Sequence, residues 1–460
     1  MMSILRRNYF LIGLYLLAAK IFAFSTYSSP ELDKLEKEFI QIINQANNIE
    51  RSALTNQYLN HLGNQLAQAA HINPVYFFIV KSNEINAFAG PGNYIGINTQ
   101  LILATNNQHE LAGVIAHEIA HLRLHHLYSL IEHQKQLRIP MLASLLASIA
   151  LGIINPTLGT GALMASLSGI AQENINFTRA KEKEADRIGM NILRSCNFDP
   201  QGIISFFQKL QQNSRYYYTD NVPAILRTHP LDEDRIAEAQ NRLFNSPPQK
   251  YTTNLDYFLF KELIRVTTVN SKQLMEYYRY QCNKKQKFNA ICNYSHALFL
   301  MKNNNFQAAQ SKLTVLLRQD PNNLFYQLAV AQTELSNKQF ASALARLEAL
   351  YKNEPDNYAI IMAYASGLNL TNNSAAATNV LLKGFRIFKR DLPLCEKFAQ
   401  YTARAHRQNY AYFIQAQCLI LQGRIKEART QLNYAKKLTH HDPYLQARIN
   451  AMDNELNIHE

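Results

Sequence analysis

Two histidines and a glutamate, His117-Glu118-Ile119-Ala120-His121, have the residue types and spacing for metal-assisted hydrolysis. They lie in a run from Glu110 to Leu124 that is rich in Ala and Leu and free of proline, so the run reads as a helix. One helical turn then separates His117 from His121, and both imidazoles share a face within reach of one ion. Glu118 points partway round the helix, where it can reach a water at the ion rather than the ion itself. The H-E-x-x-H pattern therefore predicts Zn2+, one ion per chain, with His117 and His121 as metal ligands and Glu118 as the catalytic base. The competing reading is an exposed His-rich helix, because His125 and His126 follow directly. His125 continues the i, i+4 series, yet at about 1.5 Å rise per residue it falls about 12 Å along the axis from His117 and cannot share its ion. A third ligand has to come from elsewhere.

The run Phe177-Thr-Arg-Ala-Lys-Glu-Lys-Glu-Ala-Asp-Arg-Ile-Gly-Met190 supplies carboxylates at helical spacing. Glu182 and Asp186 are i, i+4 and share a face, whereas Glu184 points away as a solvated charge. Zinc sites with two histidines on one helix commonly take a carboxylate from a second. Glu182 suits that third ligand, and Asp186 suits an acceptor behind a ligand imidazole that fixes its tautomer. Without the histidine motif, this stretch would read only as a charged helix.

His117-Glu-x-x-His121 followed by Glu182-x-x-Ala185-Asp186 resembles the gluzincin family of HtpX-type and Ste-type peptidases. Asn86-Ala-Phe-Ala-Gly-Pro-Gly-Asn-Tyr-Ile-Gly-Ile-Asn98 and Leu226-Arg-Thr-His229-Pro-Leu-Asp-Glu-Asp-Arg235-Ile are similar to that family as well. The resemblance implies that Glu182, not Glu184, is the third ligand. It also implies that His229 occupies the fourth metal position and holds the enzyme off. The residues alone leave two other readings of His229 open, a hydrogen-bond donor to the oxyanion and a satisfied loop histidine. Members of the family that combine an export signal with helical repeats imply a periplasmic protease and chaperone in outer-membrane protein quality control.

The elements that must position these residues are mostly helical. Residues 31–71 carry helical spacing up to Asn73-Pro74, Val75–Val80 reads as a short buried strand, and Ala89–Gly92 as a turn. Tyr94–Gln100 alternates like a half-exposed strand, so a small sheet with a free edge for an extended peptide is expected beside the metal helix. Residues 139–171 form two short apolar stretches around a Pro-Gly turn, read as core or lid, with peripheral membrane contact as the alternative. Arg6 and Arg7 ahead of a short apolar core, with Ala23-Phe24-Ser25 behind it, read as a signal peptide over 1–25, and an uncleaved anchor is the alternative. An exported chain can hold disulfides, and Cys282 with Cys292, or Cys395 with Cys418, could bridge adjacent helices. The fifth cysteine is Cys196.

Beyond Pro247-Pro248 a Tyr-rich helical connector runs to about residue 285. Asn305-Phe-Gln-Ala-Ala-Gln and Gln339-Phe-Ala-Ser-Ala-Leu then lie 34 residues apart, as do Asp320-Pro321 and Glu354-Pro355. That period of paired helices marks tetratricopeptide repeats, with a degenerate copy around Ser374–Pro393 and another at Arg424–Pro443. Low Gly (15) and Pro (14) in 460 residues agree with a helical chain. The charge of +13 is dispersed without a long basic run, which argues against nucleic acid as a partner.

The expected fold is mainly α: an α+β gluzincin metalloprotease domain with a small sheet over 26–245, a helical connector over 246–285, and an α-helical tetratricopeptide-repeat array over 286–460. The expected function is an exported zinc endopeptidase whose repeats bind protein substrates or, by the resemblance, the outer-membrane assembly machinery. A chaperone or scaffold with a latched zinc site and little proteolysis is the alternative.

Overall fold

The computed structural model describes residues 29–129, 172–216, 223–231, 233–244, 251–252, 254–284, 289–439 and 441–458. The expected signal peptide and the apolar stretch 139–171 lie outside the described residues. The run expected as helical over 31–71 is two helices, α1 (Ser29–Gln45) and α2 (Ala53–Ala69), split by the two-residue strand β1 (Ile49–Glu50).

Strands β2 (Tyr76–Val80), β3 (Ala87–Gly90) and β4 (Tyr94–Asn98) complete a four-stranded sheet in the order β1-β2-β4-β3. Only β2 and β4 pair in parallel. Alternate side chains serve two cores. Phe77, Ile79, Ile95 and Ile97 face the main core, while Phe78 and Tyr94 face Leu35, Phe39 and Ile43 of α1. Every residue of β4 is therefore buried, which overturns the half-exposed strand: α1 covers the face that alternation assigned to water. The expected turn over Ala89–Gly92 also starts too early. Ala89 and Gly90 pair with Ile95 and Tyr94, and the chain reverses at Gly92 (φ 70°) and Asn93 (φ 61°).

Helix α3 (Thr99–Ala104) leads into α4 (Gln108–Arg123). The Asn107 side chain caps α4 by accepting from Glu110 N at 2.9 Å, and the Glu110 carboxylate returns to Asn106 N at 2.8 Å. Helices α5 (Gln172–Ser195) and α6 (Gln201–Tyr216) pack on α4, followed by α7 (Ala224–Thr228) and α8 (Glu233–Phe244).

The segment expected as a connector holds α9 (Leu255–Thr268) and α10 (Ser271–Lys284). Their side chains join the same main core as the sheet: Phe260 stacks on Tyr58 at 4.4 Å, and Tyr257 Oη donates to Thr105 O at 2.9 Å. Paired helices follow: α11 (Asn289–Lys302), α12 (Phe306–Gln319), α13 (Leu324–Ser336), α14 (Phe340–Asn353), α15 (Tyr358–Leu370) and α16 (Ser374–Ile387). Then come α17 (Leu392–Arg404), α18 (Gln408–Leu421), α19 (Ile425–Lys437) and α20 (Pro443–Ile458). The fold is thus mainly α with a small sheet, continued by a tetratricopeptide-like array.

The 34-residue period is written in the backbone. Asn304, Lys338, Asn372 and His406 all adopt φ of 58–61°, turning the chain between paired helices. Ala309, Ala343, Ala377 and Ala411 are buried at the same phase, where a larger side chain would push the helices apart. The copy around Ser374–Pro393, degenerate in sequence, keeps this register. Both anticipated cysteine pairs are disulfides, Cys282–Cys292 and Cys395–Cys418.

Two glycines let α4 and α6 meet at backbone contact. A Cβ on Gly113 would lie 2.8 Å from Ile203 N, and one on Gly202 would lie 2.2 Å from His109 O. Helix propensity favours Ala over Gly by about 1 kcal/mol. The backbone clash works against it at about 1–3 kcal/mol. Gly113→Ala is expected to lower the urea midpoint followed by circular dichroism; a raised midpoint would show that propensity wins and the crossing is slack.

Candidate metal centre

Helix α4 carries His117, Glu118 and His121 inward, with His117 and Glu118 each 1% exposed. Helix α5 brings Glu182, and the end of α7 brings His229 as its C-cap. Ligand atoms of His117, His121, Glu182 and His229 lie within 4.8 Å of one another. His117 Nε2 is 3.0 Å from His121 Nε2, 3.3 Å from Glu182 Oε2 and 3.3 Å from His229 Nδ1. His229 Nδ1 is 3.1 Å from Glu182 Oε1, and His121 Nε2 is 3.5 Å from the same oxygen. Four donors on a tetrahedron of about 2.0–2.1 Å radius lie about 3.3–3.4 Å apart. The cluster has the donor types and the spacing of a divalent-metal shell. One buried carboxylate among three imidazoles also fits a dication better than a set of neutral hydrogen-bonding groups, since the Nε2 atoms of His117 and His121 face each other.

Glu118 stands beside this set and outside it. Its Oε1 is buried without a hydrogen bond among the described residues and lies 3.5 Å from His229 Nε2. His229 thus spans the ligand cluster with one ring nitrogen and the glutamate with the other.

Behind the cluster, His117 Nδ1 is 3.0 Å from Asp186 Oδ1, the placement anticipated for Asp186. Arg235, only 2% exposed, donates from Nε and Nη2 to the Asp186 oxygens at 2.8 and 2.9 Å and from Nη1 to Pro230 O at 2.7 Å. Nη1 also lies 3.1 Å from Glu182 Oε2. One guanidinium so ties the His229 loop to both carboxylates of α5. The sequence placed Arg235 in the segment with His229 but gave no cue to its partner.

His126 was missed outright. Helix α4 ends at Arg123 with Leu124 as its C-cap, and His125 adopts φ 51°, so His125 does not continue the helical series. The turn carries His126 back, buried, with its Nδ1 2.9 Å from His121 Nδ1 and its Nε2 3.5 Å from Glu184. Glu184 therefore holds His126 rather than standing as a free charge.

The charges of the cluster support one another. Burial opposes protonation of His117, but hydrogen bonds and charge from Asp186 and Glu182 push its pKa up to about 10, and a bound ion would displace that proton from Nε2. Burial would raise the Glu182 carboxyl, yet His229, His121 and His117 hold it well below the usual range. Burial keeps His121 neutral, with a lone pair to offer.

Known proteins resemble this chain over much of its length. The model of peptidase family M48 matches residues 53–243. The beta-barrel assembly-enhancing protease of Yersinia pestis is 30% identical over 407 residues, 88% of this chain and 83% of that one. The protein of the same name from Escherichia coli strain K12 is 29% identical with the same coverage. A Vibrio cholerae relative is 34% identical over 284 residues, which span 60% of this chain and 58% of its own length.

If His121 binds the ion through Nε2, its Nδ1–H donates to His126. His126→Leu is expected to weaken metal binding about 10–100-fold in chelator competition, while His126→Asn, whose amide oxygen can stand where Nδ1 is, retains most of it. Equal affinities for the wild type and the Leu variant would remove His126 from the site.

Proposed function

Since the chain belongs to peptidase family M48, as kin of the beta-barrel assembly-enhancing proteases, we propose that it works as an exported zinc endopeptidase in the periplasm. Its substrates on this reading are misfolded or stalled outer-membrane proteins, with the repeat array holding substrate or assembly machinery. The observation that carries the reading is the convergence of His117, His121, Glu182 and His229 on one point, with Glu118 buried beside them. Zinc rather than another metal is supported by the three-imidazole, one-carboxylate donor set.

The ion, when bound, supplies a Lewis acid for the scissile carbonyl and for the attacking water. Glu118 takes the proton of that water and delivers it to the leaving amine, a role open to it because it is not a ligand. Asp186, anchored by Arg235, holds the His117 imidazole with Nε2 toward the centre. The outer side of β3 at the end of the sheet, next to α4, suits an extended substrate strand.

His229 acts as a latch on this reading, because one imidazole takes the fourth metal position and lies against the base. This contact also favours the second reading, a chaperone or scaffold with little proteolysis. His229→Ala is expected to raise casein cleavage severalfold; unchanged or lost cleavage would refute the latch.

The main test is metal content and casein cleavage of purified wild type, Glu118→Gln and Glu182→Gln. Glu118→Gln should keep one zinc per chain and lose at least about 100-fold in cleavage. Glu182→Gln should lose both metal and cleavage. A metal-free wild type, or activity surviving in Glu118→Gln, would leave the scaffold reading.

A further inference from the structure

The antiparallel helices of the array alternate, so their turns form two rims. The lower rim, at the starts of α13, α15 and α17 and the end of α18, rests on the peptidase half. Asn323 donates to Asp256 at 2.9 Å, Tyr358 N to Gln57 at 3.0 Å, and Asn44 to Leu421 O at 2.9 Å. Arg390 pairs with Glu36 there. The upper rim, at the other end of the same helices, makes none of these contacts.

The upper rim differs in chemistry. It carries the basic side chains Lys338, Arg404, Arg407, Lys436, Lys437 and Arg448, all exposed. Glu334 is buried against Arg346 at 3.0 Å, whereas Asp442 keeps its charge among these cations and accepts from Tyr410 Oη at 2.6 Å. That last bond joins the α17–α18 turn to the α19–α20 turn, so the bases on both turns belong to one surface. Among them stand apolar side chains: Leu370 is 57% exposed and Leu438 51%, with Tyr434 (46%) against the Tyr412 ring at 5.4 Å and Tyr444 (68%) under the Arg448 guanidinium at 5.8 Å. Cations at the ends of α17 and α19 would complement the helix dipoles on their own. That explanation leaves the exposed Leu370 and Leu438 without a reason.

We propose that the upper rim docks the protein on an anionic phospholipid surface, with the cations at the headgroups and Tyr434, Leu438 and Tyr444 entering the interfacial layer. Long basic side chains and tyrosines suit that boundary because each has an apolar body and a polar end. Docking through the upper rim keeps the lower rim and the peptidase on the far side of the array.

The test is flotation of the full-length protein with vesicles of phosphatidylcholine alone or with three parts in ten phosphatidylglycerol. Binding is expected only to the anionic vesicles and is lost at high salt. Lys436→Ala with Lys437→Ala should weaken partition about 25-fold, near fivefold per charge. Leu438→Ser with Tyr444→Ser should weaken it too, whereas Lys389→Ala on the lower rim should not. Metal content and the circular dichroism spectrum of the variants should match wild type, so this test stands apart from the peptidase reading. Absence of binding to anionic vesicles, or equal loss in Lys389→Ala, would overturn the proposal. So would capture by a soluble acidic polypeptide with no vesicle binding.

Discussion

Helix α4 is clasped between α5 and α6 at glycine crossings, closed to a side chain on the α6 side and tight on the α5 side, and the metal centre depends on that closeness. A Cβ on Gly189 of α5 would lie 3.3 Å from His117 N, so α5 rides on the backbone of the ligand-bearing turn. Two helical turns before Gly189, Glu182 then reaches His117 Nε2 at 3.3 Å, and Asp186 reaches the opposite nitrogen of the same ring at 3.0 Å. A wider crossing would leave the carboxylates short of the imidazoles. The small residues of the E-x-x-A-D-x-x-G run are as necessary to the site as its acids: Ala185 is fully buried between the two functional positions.

Closeness creates a charge problem that the fold solves with one side chain. A buried carboxylate, Glu182, and a partly buried one, Asp186, on one helix face repel each other and lose hydration, at a cost of several kcal/mol for a buried ion if uncompensated. Arg235 lies against both, and its third contact, to Pro230 O, fixes the residue next to His229. Neutralising α5 and positioning the His229 loop are therefore one interaction. This explains how His229 can stand between Glu182 and Glu118 without a helix of useful length beneath it, since α7 ends at Thr228.

Legibility in the sequence followed the range of the interactions. His117, Glu118 and His121 were legible because a helix converts spacing into direction without help from the rest of the chain. Glu182 was separable from Glu184 because it shares a helix face with Asp186, with the family resemblance agreeing, whereas His229 at the metal rested on the resemblance. His126 was illegible because its position depends on a left-handed residue just past the end of α4, and periodicity carries no signal for where a helix stops without Gly or Pro. The burial of β4 was misread for a related reason. Alternation reports that a strand has two kinds of face, but whether α1 covers the second is settled by packing more than fifty residues away in sequence. The repeats were legible by their period, although their most regular marks, the left-handed turns at Asn304, Lys338, Asn372 and His406, fall on three different residue types.

The array is not an independent appendage. The main core runs without interruption from the sheet through Tyr257 and Phe260 to Tyr294 and Phe325, so the first repeat helices fold onto the peptidase half. Farther along, the lower rim returns to α1 and α2 through Glu36, Asn44 and Gln57. A chain fastened at both ends of an array loses the freedom to swing about a linker. The same α1 that receives the last repeats also covers the second face of the sheet whose outer strand, β3, lies beside α4. A load on the array is thus passed through α1 to the sheet rather than through a flexible joint.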